Sequence, residues 1–476
     1  MLSFALFLPG CLSVRSSRVY LDITKTDLCD VTQCAVEHPS FCVGEFPSDT
    51  WWEMFGDDQL NRFMELALCC HPDINEARLR VGIAYQKALE VRSKLLPYVE
   101  LFADYFRQRQ SQYNLSIPDV AANLTNNEFW FDTGIALIQA NYELDIWGKN
   151  RAAYYSQLGQ IQVQRAELAQ VRLILSTTLA QAYFSLQSHL KQKEILICLL
   201  QTREELLSLV QQRWCSGMAD AFPPYDVDAQ IAEVQAQIIQ MEALIELDQH
   251  ALSALVGNLS SICCHAEALC VQPAASYECP FPLPSSLPLD LIARRPDIMA
   301  TLWQIQSMAY NVKVAKAQFL PNLDLFGSIG QASFFLTQFF SHPALSVMMH
   351  ATSILPFYTG GNLPAKLREA QLDWDLAIEQ YNQTILIAVQ QVSDAVTYLK
   401  TAEERLGQVN RELGDRGSLY ALYNQKFQNG VDPKMPVLQS ADTFFEIQGL
   451  EEQVRLDRML ALVLMIRSLG GGYCGF

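Results

Sequence analysis

Thirteen cysteines and seven histidines are the side chains of this 476-residue protein best suited to metal, redox or nucleophilic chemistry. The densest group is CCHAEALC, Cys263 to Cys270, which sets three thiols beside His265. A structural metal site wants four ligands, commonly as two close pairs. No second CxxC-type pair accompanies this run, so disulfides or free thiols are favoured over a metal, and we expect no metal and no cofactor. Cys29, Cys34, Cys42, Cys263, Cys264, Cys270 and Cys279 all fall in segments that read as loops. Such usage suits an oxidising compartment with some disulfides, although spacing does not fix their pairing. The remaining histidines are scattered, and neither a P-loop, an HExxH helix nor a nucleophile elbow occurs. Nothing here would supply energy or chemistry, and we do not expect an enzyme.

One further cysteine has a different use. The chain starts MLSFALFLPGC, a short apolar run followed by Leu8-Pro9-Gly10-Cys11. Small residues before a cysteine fit a signal-peptidase cleft, and the new terminal thiol then accepts lipid. We therefore expect residues 1–10 to be a lipoprotein signal and Cys11 the lipidation site. The apolar run is short, and no Lys or Arg precedes it.

Composition excludes other classes. With 34 basic against 51 acidic residues the formal charge is −17, and no basic patch stands out, so nucleic acid is not an expected partner. Half the residues are apolar and 18% are charged, which excludes a disordered chain. The longest apolar run, Ala461 to Ile466, is flanked closely by Arg458 and Arg467, far short of a spanning helix.

The elements that would position any site come in two copies. HPDI and LLPYVELF (His71 to Phe102) match RPDI and FLPNLDLF (Arg295 to Phe326) at one constant offset. Gly217 and Gly257 match Gly430 and Gly470 in the same way, so both halves stay in register to their ends. We expect a linker over 11–50, a first repeat over 51–257, a Cys/Pro-rich linker over 258–285, a second repeat over 286–470 and a tail over 471–476.

Each repeat reads as a helix running into a strand at a proline, a second strand, a very long helix, a Gly-marked turn and a shorter helix. Pro97 and Pro321 lack the N–H that would continue a helix, and the residues after them alternate apolar and polar. The expected strands are Pro97 to Gln108, about Phe131 to Trp147, Pro321 to Ala332 and about Leu345 to Phe357. The long helices are expected from about Lys149 to Arg213 and from about Asn362 to Phe427. At 1.5 Å per residue each would reach roughly 100 Å, with heptad-like apolar spacing suited to a coiled coil.

Four alternating strands leave two open edges, and open edges cannot sit in hydrocarbon, where every N–H and C=O needs a partner. A barrel would have to be closed by further copies. Glu100, Asp104, Glu143, Asp145 and Asp324 would then face a wet lumen, with Leu101, Ile138, Tyr142 and Leu325 facing lipid. In a soluble sandwich the polar faces would meet water instead, and direct fusion of helix to strand would have no purpose.

Several motifs together resemble the TolC-like outer membrane efflux proteins, in the lipoprotein branch that works with resistance-nodulation-division pumps. They are WWEMFGDDQL (Trp51 to Leu60), YELDIWGKNR (Tyr142 to Arg151), ARRPDI (Ala293 to Ile298), AKAQFLPNLDLFGSIG (Ala315 to Gly330), LPFYTGGNL (Leu355 to Leu363) and ALVLMIRSLGGGY (Ala461 to Tyr473). The resemblance implies a mainly α fold with membrane β structure. A homotrimer would form an outer membrane β-barrel, four strands per chain, continuous with an α-helical periplasmic barrel. It implies a passive channel for small molecules (drugs, toxic compounds or metals), docked to a periplasmic adaptor and an inner-membrane pump.

It also places adaptor contact at the hairpin tips, on Arg213, Gly217, Lys426 and Gly430. Glycine suits a helix C-terminus, and a basic residue there equally serves the helix dipole. A constriction aspartate common in the family falls on Gln439 here, so the entrance charge is expected from Asp226 and Asp432, with Asp442 nearby. Two other readings stand beside efflux: a channel for type I protein secretion, and a non-conducting, lipid-anchored coiled-coil scaffold.

Overall fold

The computed structural model describes residues 41–43, 46–109, 130–218, 222–257, 281–283 and 294–473. They fall into two compact units. Among the described residues, one holds 81–109, 130–164 and 301–380, the other 41–43, 46–80, 165–218, 222–257, 281–283, 294–300 and 381–473.

The first unit carries a single antiparallel sheet in the order β2 (Tyr98–Arg109), β3 (Trp130–Glu143), β5 (Asn322–Ser333) and β6 (Leu345–Ile354). Two helices deliver the chain to it, α2 (Pro72–Ser93) and α5 (Pro296–Ala317), each of 22 residues. Both begin with proline at the position where a missing N–H is harmless. Both end in a short turn closed by Pro97 or Pro321, and a strand starts at the next residue. Helices and strands thus coincide at the same offset that relates the two sequence repeats.

Two expected strands run too long. β3 stops at Glu143 rather than Trp147 because Asp145 leaves the ladder to cap the following helix, α3 (Lys149–Cys215). Its carboxylate accepts the N–H groups of Asn150 at 3.0 Å and Arg151 at 2.9 Å, satisfying donors that a helix start leaves open. Asp145 is therefore a helix cap and not a strand residue. β6 stops at Ile354 rather than Phe357, since Pro356 has no N–H to give a ladder.

Small side chains let the helices of this unit approach closely. Ala84 and Ala88 bury against Ile161, and Val312 and Ala315 against Leu367. A Cβ on Gly159 would come within 3.1 Å of Ser307 Cβ, and Ser307 shares a 3.0 Å hydroxyl contact with Ser156.

The second unit contains most of α3, then α4 (Phe222–Val256), most of α6 (Asn362–Gln428) and α7 (Lys434–Ser468). α3 and α6 are each 67 residues long, and α4 and α7 each 35, so the duplication extends to element length. Helix α1 (Asp58–Cys70) is capped by Asp57 and buries Leu60, Phe63, Met64 and Ala67 at helical spacing. Tyr183 is fully buried, and its hydroxyl donates to Asp57 at 2.6 Å. Burial and that carboxylate hold the phenol far above its ordinary range. Near the end of the chain, a Cβ on Gly470 or Gly472 would overlap the backbone of Arg294 or Ser48. A short parallel pair, β1 (Phe41–Val43) with β4 (Phe281–Leu283), completes the described elements.

Candidate functional site

The sheet sorts its side chains into two faces, because directly opposed residues in a ladder point the same way. Leu101 stands opposite Ile138, Ile138 opposite Ile329, and Ile329 opposite Val347. These four are 73%, 52%, 52% and 63% exposed, an unbroken apolar row across all four strands. Tyr142 and Leu325 pair on the same face. Glu100, Asp104, Glu143 and Asp324 occupy the opposite face, where Glu100 meets Gln139 and Gln139 meets Ser328. On that polar side Ser328 is only 5% exposed, while Glu100 and Asp104 on β2 are open. That side is mixed, since Phe102, Phe326 and Met348 share it.

Glu143 and Asp324 are directly opposed, which places two carboxylates side by side. Each has a local partner. Lys149, at the start of α3, forms an ion pair with Glu143, and Asn322 donates to Asp324 at 2.7 Å. Pro97 is exposed and Pro321 half-buried, and the carbonyl of Pro321 accepts the indole N–H of Trp147 at 2.7 Å. A cleft of about 480 Å³ opens beside this junction, lined by Glu143, Asp145, Trp147, Pro321 and Lys366 among others.

The helix turns in the second unit are built alike. Gly217 and Gly430 take φ of +72° and +71°, the left-handed region that glycine enters without strain. Met218 N–H bonds the carbonyl of Arg213 and Val431 N–H that of Lys426, each at 2.9 Å. Gly217 and Gly430 N–H groups bond the carbonyls of Trp214 and Phe427, so each turn closes as a Schellman motif. Arg213 extends toward Met435, its Nη1 3.2 Å from the sulfur, and Lys426 Nζ lies 3.5 Å from Asp432. Behind these turns Leu206, Val210, Val227, Ile231 and Leu438 form a buried cluster.

The acidic candidates separate. Asp226 is exposed and accepts from Gln230 Nε2 at 3.0 Å. Asp432 is offset by Lys426. Gln439 is exposed. Asp442 is drawn inward by Arg203, whose guanidinium is almost fully buried. Arg203 Nε reaches Asp442 at 2.7 Å, Nη2 reaches Glu446 at 2.6 Å, and Nη1 reaches the carbonyl of Gln230 at 3.3 Å. Burial would lower the pKa of the guanidinium, but the carboxylates of Asp442, Glu446 and Glu233 outweigh it and raise it.

Sequence reasoning missed this three-helix lock. The spacing of Asp442 and Glu446 puts both on one helix face, but their cation lies in the other repeat. Cys11 and the Cys263 to Cys270 group lie outside the described residues. Cys69, Cys70, Cys198 and Cys215 are free, exposed thiols. Among the described residues no helix is long and apolar enough to cross a membrane.

Known proteins share this arrangement. The chain is 26% identical over 479 residues to the multidrug resistance outer membrane protein MdtQ of Escherichia coli O157:H7, covering 98% of this chain and 96% of that one. Its fold is similar to that of the outer-membrane channel OprN, with a TM-score of 0.80 at 23% identity over 96% and 98% of the two chains. It is likewise similar to the outer membrane protein VceC from Vibrio cholerae, with a TM-score of 0.76 at 27% identity over 90% and 100% of the two chains. The family pattern of the outer membrane efflux proteins matches residues 63–258 and 287–471, most of the chain. The chain therefore belongs to the outer membrane efflux protein family, whose members are channels of the outer membrane and not enzymes.

Proposed function

We propose that three copies of this chain close one barrel and form a passive exit duct for small molecules. The supporting observation is the sheet itself: four strands, edges at β2 and β6, and an apolar face exposed from edge to edge. Open edges are untenable in lipid, and closure by further copies satisfies them. Leu101, Ile138, Tyr142 and Leu325 then face lipid. Glu100, Asp104, Glu143 and Asp324 face the lumen, and Pro97 and Pro321 mark the level where helices give way to strands. The charge of −17 per chain favours cations in that lumen.

The adaptor of the efflux assembly docks on the turns at Gly217 and Gly430, with Arg213 and Lys426 as contacts, and an inner-membrane pump drives transport. Asp226 and Asp432 supply the charge at the periplasmic entrance. The cargo class is small molecules such as drugs, in keeping with the name of MdtQ. Residues 51–257 and 286–470 act as the two repeats, joined by 258–285. Cys11 carries lipid after removal of residues 1–10, and Cys11→Ser should abolish lipid labelling.

The decisive test is the purified full-length protein in planar bilayers. Discrete cation-favouring conductance steps, with chemical cross-linking that stops at three chains, are expected. A trimer without current would favour the non-conducting scaffold and overturn the duct.

A further inference from the structure

The end of the sheet farthest from the proline junctions carries a different set of side chains on its apolar face. Arg109 is directly opposite Trp130, and Arg107 directly opposite Asp132. All four therefore lie on the face of Leu101 and Ile138. The Arg107 guanidinium sits 5.5 Å from the Trp130 ring centre and 3.4 Å from the Asp132 carboxylate, which also accepts from the Tyr105 hydroxyl at 3.4 Å. Arg107 and Arg109 remain exposed.

The β5–β6 connection folds onto this same end. A Cβ on Gly134 would lie 3.0 Å from the Phe339 ring and 3.6 Å from Leu336, so both side chains cover the apolar face at that glycine. Phe334, Leu336 and Phe340 project outward at 65%, 53% and 89% exposure. A loop with three exposed apolar side chains beside two arginines is ill suited to water. It matches a boundary where acyl chains end and anionic headgroups begin. Aromatic rings gather at such interfaces, and arginine fits phosphate with its paired donors.

We propose that this rim binds a phosphorylated lipid of the outer leaflet. Arg107 and Arg109 hold the phosphate, Asp132 and Trp130 orient Arg107, and Phe334, Leu336 and Phe340 sit among the acyl chains. The site rests on the reading above that the Leu101 face meets lipid. The chemistry selects phosphate because, among the described residues, two guanidiniums face one carboxylate, Asp132, at the rim of this face, on a chain that is acidic overall.

Native mass spectrometry of the full-length protein tests it, with bis-phosphorylated lipid A and its dephosphorylated form as probes. The wild type should prefer the phosphorylated form, and Arg107→Gln with Arg109→Gln should weaken that binding by roughly tenfold or more. A photo-crosslinking residue at Leu101, in vesicles of the same lipid, reads the underlying face separately. Lipid adducts at Leu101 with equal binding of both lipids, or with the double variant unchanged, would overturn the phosphate site alone. Absence of lipid adducts at Leu101 would overturn the face assignment and the site with it.

Discussion

Arg203 on α3 and Asp442 on α7 meet at 2.7 Å although 239 residues separate them in the chain. The arginine side chain is 7% exposed and the aspartate 19%, so water does little to screen the pair. Removing Asp442 leaves the buried guanidinium to Glu446 alone, at a cost of up to about 3–5 kcal/mol, whereas replacing both Arg203 and Asp442 by apolar groups of similar size can be neutral. We expect Asp442→Ala to lower the unfolding midpoint sharply and Arg203→Met with Asp442→Leu to recover most of it. Thermal unfolding of the wild type and the two variants by circular dichroism checks this. A double variant no better than the single one would refute the account.

Glycines of two kinds should respond differently. Around Gly217 and Gly430 there is open space, and only the left-handed backbone opposes a side chain. Alanine at either should cost about 1–2 kcal/mol, with asparagine milder. At Gly330 a Cβ would strike the Ala136 carbonyl and the Leu137 Cα across the β3–β5 ladder. Gly330→Ala should therefore impair assembly of the sheet itself. Heat-resistant oligomer on a gel would be lost for Gly330→Ala and retained for Gly217→Ala.

The pH response has a nameable source. Burial and the adjacent Glu451 raise the Glu452 carboxyl above its ordinary value of 4.5, against opposing help from Arg455, Ser188 and Lys191. A carboxyl raised in the folded state binds its proton more tightly there than when unfolded. Its contribution to stability is present below the unfolded pKa and lost as pH rises through the folded one. Glu452→Gln should flatten that part of the profile and stabilise the protein near neutrality. Unfolding midpoints measured across the acidic to neutral range would show it, and an unchanged slope would count against it.

At the turn region, the two acids should not be equivalent. Lys426 offsets Asp432 at 3.5 Å, while among the described residues Asp226 meets the amide of Gln230 and no cation. Asp226→Ala should reduce cation preference in single-channel recordings more than Asp432→Ala does. Equal effects, or none from either, would remove Asp226 from the entrance.

How much of this was written in the chain itself varies with the range of the interaction. Prolines at the strand starts, glycines at the turns and the alternation around Leu325 and Leu101 act within a few residues. The duplicated plan, the strand faces and the helix ends were therefore readable directly. Where a short-range competitor intervened the reading slipped: Asp145 caps α3 instead of extending β3, because an open helix N-terminus draws a carboxylate more strongly than one more ladder position holds it.

Long-range matters were decided only by tertiary structure. Which acids are neutralised depends on where cations from distant segments arrive. Arg203 thus takes Asp442 inward, while Lys426 screens Asp432. The folding of Leu336 and Phe339 over Gly134 likewise joins a loop of one repeat to a strand of the other. Local periodicity determined the elements and their faces, and the packing of the repeats determined which charges and rings were left exposed.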